Sequence, residues 1–436
     1  MHVSYEKQVL SNGLEVILHS DRSCPIVAVN LWYHVGSKNE QLGRTGFAHL
    51  FEHLMFEGSA HHDRGYFAPL QEVGGALNGS TNADRTNYWE VVPTGALERA
   101  LWMESDRMGF LLSALTPEKF ETQRKVVLNE RRQNYENRPY GMVSMVLMPA
   151  LFPHGHPYRW NTIGEPSDLM AASFNDVRQF FSTYYHPGNA SLVLAGDIDV
   201  VQGFDLVERY FGPISKGPPR PAVDVSDTPV DCEQRLLLED RVDLARVYLS
   251  WRSPALFCEG DAGLDLLATI LTAGKSSRLY QRLVRDGQLA LDVSAGQSSR
   301  EIDGIFSIVA TAVPGGSLTE IEKVIADELY QLQHDGPTDD EMERSKMTVE
   351  ADFAYRVQSL GDFGGRSDQL NAYNVYLDNP GYFDADLARY LQINSAAIQS
   401  LAQRYLTDQR RVALSVIPVG ADSAIGLPHS TRVVVG

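Results

Sequence analysis

Close to the midpoint of this 436-residue chain, Phe211–Pro229 gathers Pro213, Pro218, Pro219, Pro221 and Pro229 with Gly212 and Gly217. Prolines that dense exclude a helix interior or a central strand, so the segment reads as a semi-rigid linker between two folding units. What flanks it repeats. Placing Ser173–Asp199 over Asn394–Gly420 sets Val177 on Ile398, Phe180 on Leu401, Tyr184 on Tyr405 and Leu192-Val193 on Ala413-Leu414 without a gap. Each copy reads as a capped helix running into an apolar strand, which points to an internal duplication. The expected organisation is residues 1–212, a 213–232 linker and residues 233–436. At roughly 150 residues per domain, each half is long enough for its own core.

Local patterns set the class. Gln8–Leu10, the Ser11-Asn12-Gly13 turn, Leu14–Leu18 and Val27–Tyr33 read as a strand, a turn and two more strands. Helical patterns follow near 43–57, 64–73, 94–112 and 117–137, then a Val177–Tyr185 helix and a Ser191–Ala195 strand. Strands interleaved with helices predict an α+β or α/β chain. With 43% hydrophobic and 22% charged residues, disorder and fibrous folds are excluded. The longest apolar runs, such as Pro25–Trp32 and Ser191–Gly196, fall short of the ~18 residues of a membrane helix, so no bilayer span is expected.

Charge and cysteine usage narrow the partners. The 38 basic against 56 acidic residues leave −18, which opposes nucleic acid and an anionic membrane surface and steers cationic ligands inward. Cys24, Cys232 and Cys258 are far apart with no CxxC, which argues against a thiolate zinc site and a disulfide framework. The N-terminus lacks a basic region followed by an apolar stretch. The literal expectation is cytoplasmic, or periplasmic if the chain is a trimmed form of an exported protein.

The chemistry lies in Gly43–Glu57, which contains His49-Leu50-Phe51-Glu52-His53. Histidines four apart on a helix project from one face and can share a metal, with Glu52 beside them. Zinc takes such imidazoles, and a neighbouring carboxylate can accept a proton from water that the metal acidifies. Leu50, Phe51, Leu54 and Phe56 supply a buried face for that helix. A second helix is predicted over Thr116–Asn137, with Thr116 as cap and Pro117 in the first turn. Phe120, Val127 and Glu130 share one of its faces, but spacing alone leaves Glu130 as one of several glutamates there. His61-His62 and His154-x-His156 read as loop histidines, Arg131-Arg132 as a solvated helix face, and Phe363-Gly364-Gly365-Arg366 as a flexible loop.

His49-x-x-Glu52-His53 followed by Glu130 resembles the pitrilysin/insulinase zinc peptidases, the inverzincins. Gly74–Thr81 resembles that family's substrate-binding edge strand. His156-Pro157-Tyr158, Asn189–Gly196 and Gly274-Lys275-Ser276-Ser277-Arg278-Leu279 resemble its later landmarks. The resemblance spans the chain, at the length of the short-subunit bacterial and mitochondrial-processing-peptidase-like branch. It implies an α+β fold of two homologous domains around a cavity, each a mainly antiparallel sheet covered by helices. It implies one Zn2+ per chain held by His49, His53 and Glu130, Glu52 as catalytic base, and substrate bound at Ala76, Leu77, Asn78 and Arg285. Two positions depart from the family pattern. Gln123 stands where a second glutamate is usual, near the site. Leu291 stands where the family has the tyrosine of an Arg…Tyr pair begun here by Arg285, and leucine cannot donate to an oxyanion.

The duplication sets His49, Glu52 and His53 over Arg278, Gln281 and Arg282, so the second half should lack a metal site. The expected function is zinc-dependent endopeptidase action on peptides or unfolded segments, the peptide adding as a strand at Ala76–Thr81. The expected partner is a homologous subunit supplying the Arg…Tyr pair, with a homodimer as the alternative. A non-catalytic assembly subunit is the rival reading, although such relatives typically lose the metal motif. A zinc-storage or structural site is a second rival, which Glu52 beside an open coordination position argues against.

Overall fold

The computed structural model describes residues 3–225 and 231–435, so Pro229 and the rest of 226–230 in the expected linker lie outside the described residues. Two compact units are present, and they do not coincide with the two halves of the sequence. The first gathers residues up to Arg131 with Trp160–Asp224 and Phe353–Asp384. The second gathers Arg132–Arg159, the stretch from Val225 to Asp352, and the stretch from Ala385 onward. Each half therefore contributes a helical segment to the other half's unit.

The first unit is built on a six-stranded sheet in the order β1-β2-β6-β3-β5-β4. Its strands are β1 Glu6–Val9, β2 Glu15–Ser20, β3 Ile26–Tyr33, β4 Ala76–Thr81, β5 Thr86–Pro93 and β6 Ala190–Gly196. β2 and β6 run parallel, and every other pair is antiparallel. β6 is buried along its whole length, as the apolar run Leu192–Ala195 requires of a central strand. The Arg366–Leu377 helix covers one face. There Trp32 Nε1 donates to Asp368 Oδ1 at 2.8 Å and Asn371 Nδ2 donates to the Asn30 carbonyl at 2.8 Å. The opposite face carries Tyr33, Tyr88 and the Leu97–Ala114 helix, with Tyr33 and Tyr88 packed edge to face.

The second unit repeats this plan. Its sheet order is β12-β7-β11-β8-β10-β9. Those strands are β7 Gln234–Asp240, β8 Arg246–Ser253, β9 Ala290–Ser299, β10 Gly304–Ala312, β11 Arg411–Pro418 and β12 Thr431–Val433. Five strands match one for one: β7 with β2, β11 with β6, β8 with β3, β10 with β5 and β9 with β4. The β7–β11 pair is parallel, like β2–β6. Even the caps correspond. Ser173 accepts from Asp176 N ahead of β6, and Asn394 accepts from Ala397 N ahead of β11. Both domains are thus α+β with mixed, mainly antiparallel sheets, and the duplication read from Ser173–Asp199 and Asn394–Gly420 is real in three dimensions.

Two minor expectations are corrected. Arg131 is not solvated: its guanidinium turns inward, where Nη1 donates to the Gly164 carbonyl at 2.7 Å. A buried carbonyl at a glycine turn needs that donor. The Phe363–Arg366 segment is tied down by Asp368, which accepts from Gly364 N at 2.7 Å, and by an Arg366–Asp21 ion pair at 2.6 Å. No helix among the described residues is long and apolar enough to cross a membrane.

One contact seats the helix that carries the histidine motif. Gly46 precedes it at φ +89°, and Gly164 at φ +76° lies so close that a Cβ there would stand 2.4 Å from Gly46 Cα. Neither backbone can yield. Gly164→Ala should therefore cost about 3 kcal/mol or more in urea unfolding. Gly43→Ala, at φ +84° with nothing within 4 Å, should cost about 1–2 kcal/mol for its left-handed backbone alone. Equal costs would show the Gly46–Gly164 approach to be slack.

Candidate metal centre

The motif helix spans Phe47–Leu54 and buries Phe47, Ala48, Leu50, Phe51 and Leu54. With that face turned inward, the helical period leaves His49, Glu52 and His53 on another side. The rings of His49 and His53 lie 4.9 Å apart and nearly perpendicular. A second helix, Pro117–Arg131, begins where Thr116 Oγ1 accepts from Lys119 N at 3.3 Å. Its Phe120 and Val127 are buried, and the face they share brings Glu130 to the histidines. Glu130 Oε2 stands 3.2 Å from His53 Nε2 and 3.6 Å from His49 Nε2. The three ligand atoms lie within 4.8 Å of one another, and among the described residues this is the group able to hold a metal.

The residue types suit zinc. Two imidazoles and a carboxylate are a ligand set that zinc accepts, and three protein ligands leave one position for water or substrate. Burial and then the neighbouring His53 hold His49 down to about 4, against the pull of Glu130, so its ring is the neutral form that ligates. Glu52 sits beside this set without belonging to it. Burial raises its carboxyl, while a hydrogen bond from the Thr81 side chain opposes the rise. Thr81 ends β4, so the edge strand and Glu52 meet at one residue.

The other expected site residues are placed as follows. Ala76, Leu77 and Asn78 lie on β4, which pairs with β5 on one side and forms the sheet edge on the other. Gln123 donates from Nε2 to Glu57 Oε1, so it joins the second ligand helix to the chain just past the motif helix. Arg285 belongs to the second unit, in a π-helical stretch Tyr280–Asp286, where its guanidinium is exposed and paired with Asp286 at 2.7 Å. Leu291 is 52% exposed on β9. Arg278 and Arg282, which the sequence set over His49 and His53, are locked to Glu341 and Glu328 by hydrogen bonds of 2.7 and 2.8 Å. The element order corrects that match: the α-helix between β8 and β9 that corresponds to the motif helix is Asp261–Thr272.

Comparison with known proteins agrees with this geometry. Residues 15–157 match the family described as insulinase (peptidase family M16), and residues 171–349 match the peptidase M16 inactive domain. The chain is 28% identical over 420 residues to the zinc protease PqqE of Helicobacter pylori, covering 95% of this chain and 93% of that protein. It is 24% identical over 411 residues to the uncharacterized zinc protease YmxG of Bacillus subtilis, covering 94% and 97%. A crystal structure of a protease from Helicobacter pylori superposes with a TM-score of 0.88 at 26% identity, over 95% of this chain and all of that one.

Sequence reading missed what underlies the motif helix. Glu90 on β5 is 1% exposed, and its carboxyl meets that of Glu104. Nearby Glu104 accepts from Tyr66 Oη at 2.9 Å and from Arg107 Nε at 2.9 Å. The Arg107 guanidinium lies over the rings of Tyr66 and Tyr88, at 3.9 and 4.0 Å. Tyr88 in turn faces the Phe51 carbonyl of the motif helix at 3.4 Å. A glutamate inside the apolar run Tyr88–Val92, and the i, i+3 spacing of Glu104 and Arg107, were the available signals. Burial, followed by the Glu104 charge, raises the Glu90 carboxyl well above its ordinary value of 4.5. The fold therefore holds Glu90 protonated while the unfolded chain ionises it, a contribution present in acid and lost as pH rises. Glu90→Gln should leave unfolding free energy nearly unchanged at about pH 5 and raise it by at least about 1 kcal/mol at about pH 8, as read by urea denaturation. A loss of stability at the higher pH would mean that Glu90 is ionised in the fold.

Proposed function

The chain belongs to the insulinase family, peptidase family M16, and from that premise we propose that it is a zinc endopeptidase acting on peptides or unfolded segments held in extended form. The observation that carries this reading is the convergence of His49, His53 and Glu130 within 4.8 Å, with Glu52 beside them and outside the ligand set. His49, His53 and Glu130 hold the metal, one ion per chain. When bound, zinc supplies Lewis acidity: it makes water more acidic and a carbonyl more electrophilic. The inactive-domain match covers 171–349, whereas the ligands lie in the 15–157 match, so the inactivity named there does not fall on the residues that carry them.

The chain's own groups do the rest. A peptide added along the open edge of β4 exchanges backbone hydrogen bonds with Ala76–Thr81, which selects extended, unfolded chain over folded protein. At the end of that strand Thr81 fixes the Glu52 carboxylate by a hydrogen bond. Glu52, its proton affinity raised by burial, takes the proton of the attacking water and returns it to the departing amine. Metal analysis and peptide hydrolysis of single variants test these roles. The wild type and Glu52→Gln should each hold about one zinc per chain, with hydrolysis at least about 10²-fold slower in the variant. Glu130→Gln should lose both metal and activity. Zinc lost from Glu52→Gln and retained by Glu130→Gln would reverse the assignment, and a wild type that neither binds zinc nor hydrolyses peptides would favour the assembly-subunit reading.

The same reading extends to a partner. Leu291 offers no donor to a developing oxyanion, so a homologous subunit bearing an Arg…Tyr pair supplies it. Hydrolysis by this chain mixed with such a subunit should exceed that of the isolated chain by about 10²–10³-fold, the usual cost of a missing oxyanion donor. Full activity from the isolated chain, unchanged on mixing, would show a self-sufficient enzyme, a homodimer among the possibilities.

A further inference from the structure

A helix begins with backbone N–H groups that have no partner within the helix, and a side chain at the N-cap normally accepts from them. The motif helix has no such side chain. Its N-cap is Gly46 in a left-handed conformation, and it makes no side-chain cap hydrogen bond. Glycine is required there by the approach of Gly164, so the helix that carries both histidines enters without a cap of its own. The missing acceptor comes from a preceding loop. Glu40 Oε2 accepts from Gly46 N at 2.9 Å, and Glu40 Oε1 accepts from Ala48 N at 2.8 Å.

We infer that Glu40 is a positioning residue for the metal centre: it grips the first turn of the motif helix by both carboxyl oxygens and so fixes the direction in which His49 projects. This rests on the proposed zinc site and names a residue that it does not include. Glu40 is 7% exposed, so the clamp is shielded from competing water. Burial pushes its carboxyl up to about 8, while the Ala48, Gly46 and Phe47 N–H groups pull against that rise. The gripped residue Ala48 is adjacent to His49, and a rotation of the first turn would swing its imidazole away from His53 and Glu130. His53 and Glu130 themselves depend on contacts one turn or more removed. The His49 side of the ligand set is therefore the side that Glu40 controls.

A cap that merely stabilised the helix would change how much protein is folded and leave the folded protein's affinity for metal alone. That difference defines the test. Zinc affinity of the folded apoprotein, measured by competition with a chelating dye, is compared for wild type, Glu40→Ala, Glu40→Gln and Asp199→Ala. Asp199 caps the Val200–Phe211 helix by accepting from Val201 N and Gln202 N, so its loss removes a comparable two-bond cap away from the metal. Both Glu40 variants should bind zinc about 10–100-fold more weakly, the range typical of residues that orient metal ligands, while Asp199→Ala binds as the wild type does. Glutamine keeps the size of the side chain but has one acceptor oxygen, so it satisfies one of the two amides. Hydrogen exchange in the wild-type apoprotein gives a reading that needs no variant to fold: the Gly46 and Ala48 amides should exchange as slowly as the middle of the helix. Wild-type zinc affinity in the Glu40 variants, or Gly46 and Ala48 amides that exchange like a frayed end, would overturn the inference. A wild type that binds no zinc would instead overturn the metal-centre reading.

Discussion

Two helices must meet at a fixed angle before a carboxylate from one can reach two imidazoles of the other, and the rest of the site depends on that meeting. His49 and His53 are one turn apart on the motif helix, so their spacing is local. Glu130 arrives from Pro117–Arg131, and its place is set by tertiary contacts alone. The Gly164–Asp168 segment holds both elements. Thr45, just before the motif helix, donates through N and Oγ1 to Asp168 Oδ2 at 3.0 and 2.7 Å. Arg131, just after Glu130, donates to the Gly164 carbonyl. Polar groups converging on one point desolvate one another, so the scaffold must hold them there. The close Gly46–Gly164 approach and the buried Arg131 are part of that scaffold.

The second unit shows what the same plan becomes without ligands. Its strands follow the order of the first, yet among the described residues it gathers no group able to hold a metal. Arg278 makes a two-point contact with Glu341, and Arg282 pairs with Glu328. Such Arg–carboxylate pairs satisfy their own geometry and leave no position for water to be activated.

How much was legible in the sequence follows from how local each feature is. The His-x-x-Glu-His spacing, the Thr116 cap and the Ser173 and Asn394 caps each lie within a turn or two of chain, and periodicity exposes them. The edge position of Ala76–Thr81 came from family resemblance, since alternation marks a strand but not its neighbours. The exchange of helical segments between halves was not legible. Nothing local to Val143–Leu151 or Arg366–Leu377 says which sheet receives them, and the face that Arg366–Leu377 buries includes Ser367, Asp368, Asn371 and Asn374. Arg131 was misread and Glu90 overlooked for the same reason: a charged residue is exposed by default, and only the packed fold reveals a carbonyl awaiting a donor or a carboxyl sealed beneath a helix.

Anomalous diffraction at the zinc absorption edge, from crystals of the purified protein, tests the central claim most directly. The account predicts one peak per chain, bonded to His49 Nε2, His53 Nε2 and a Glu130 carboxylate oxygen, with Glu52 close by and unbonded. A peak ligated by Glu52 in place of Glu130, a site elsewhere in the chain, or no zinc in protein prepared with the metal present would contradict it.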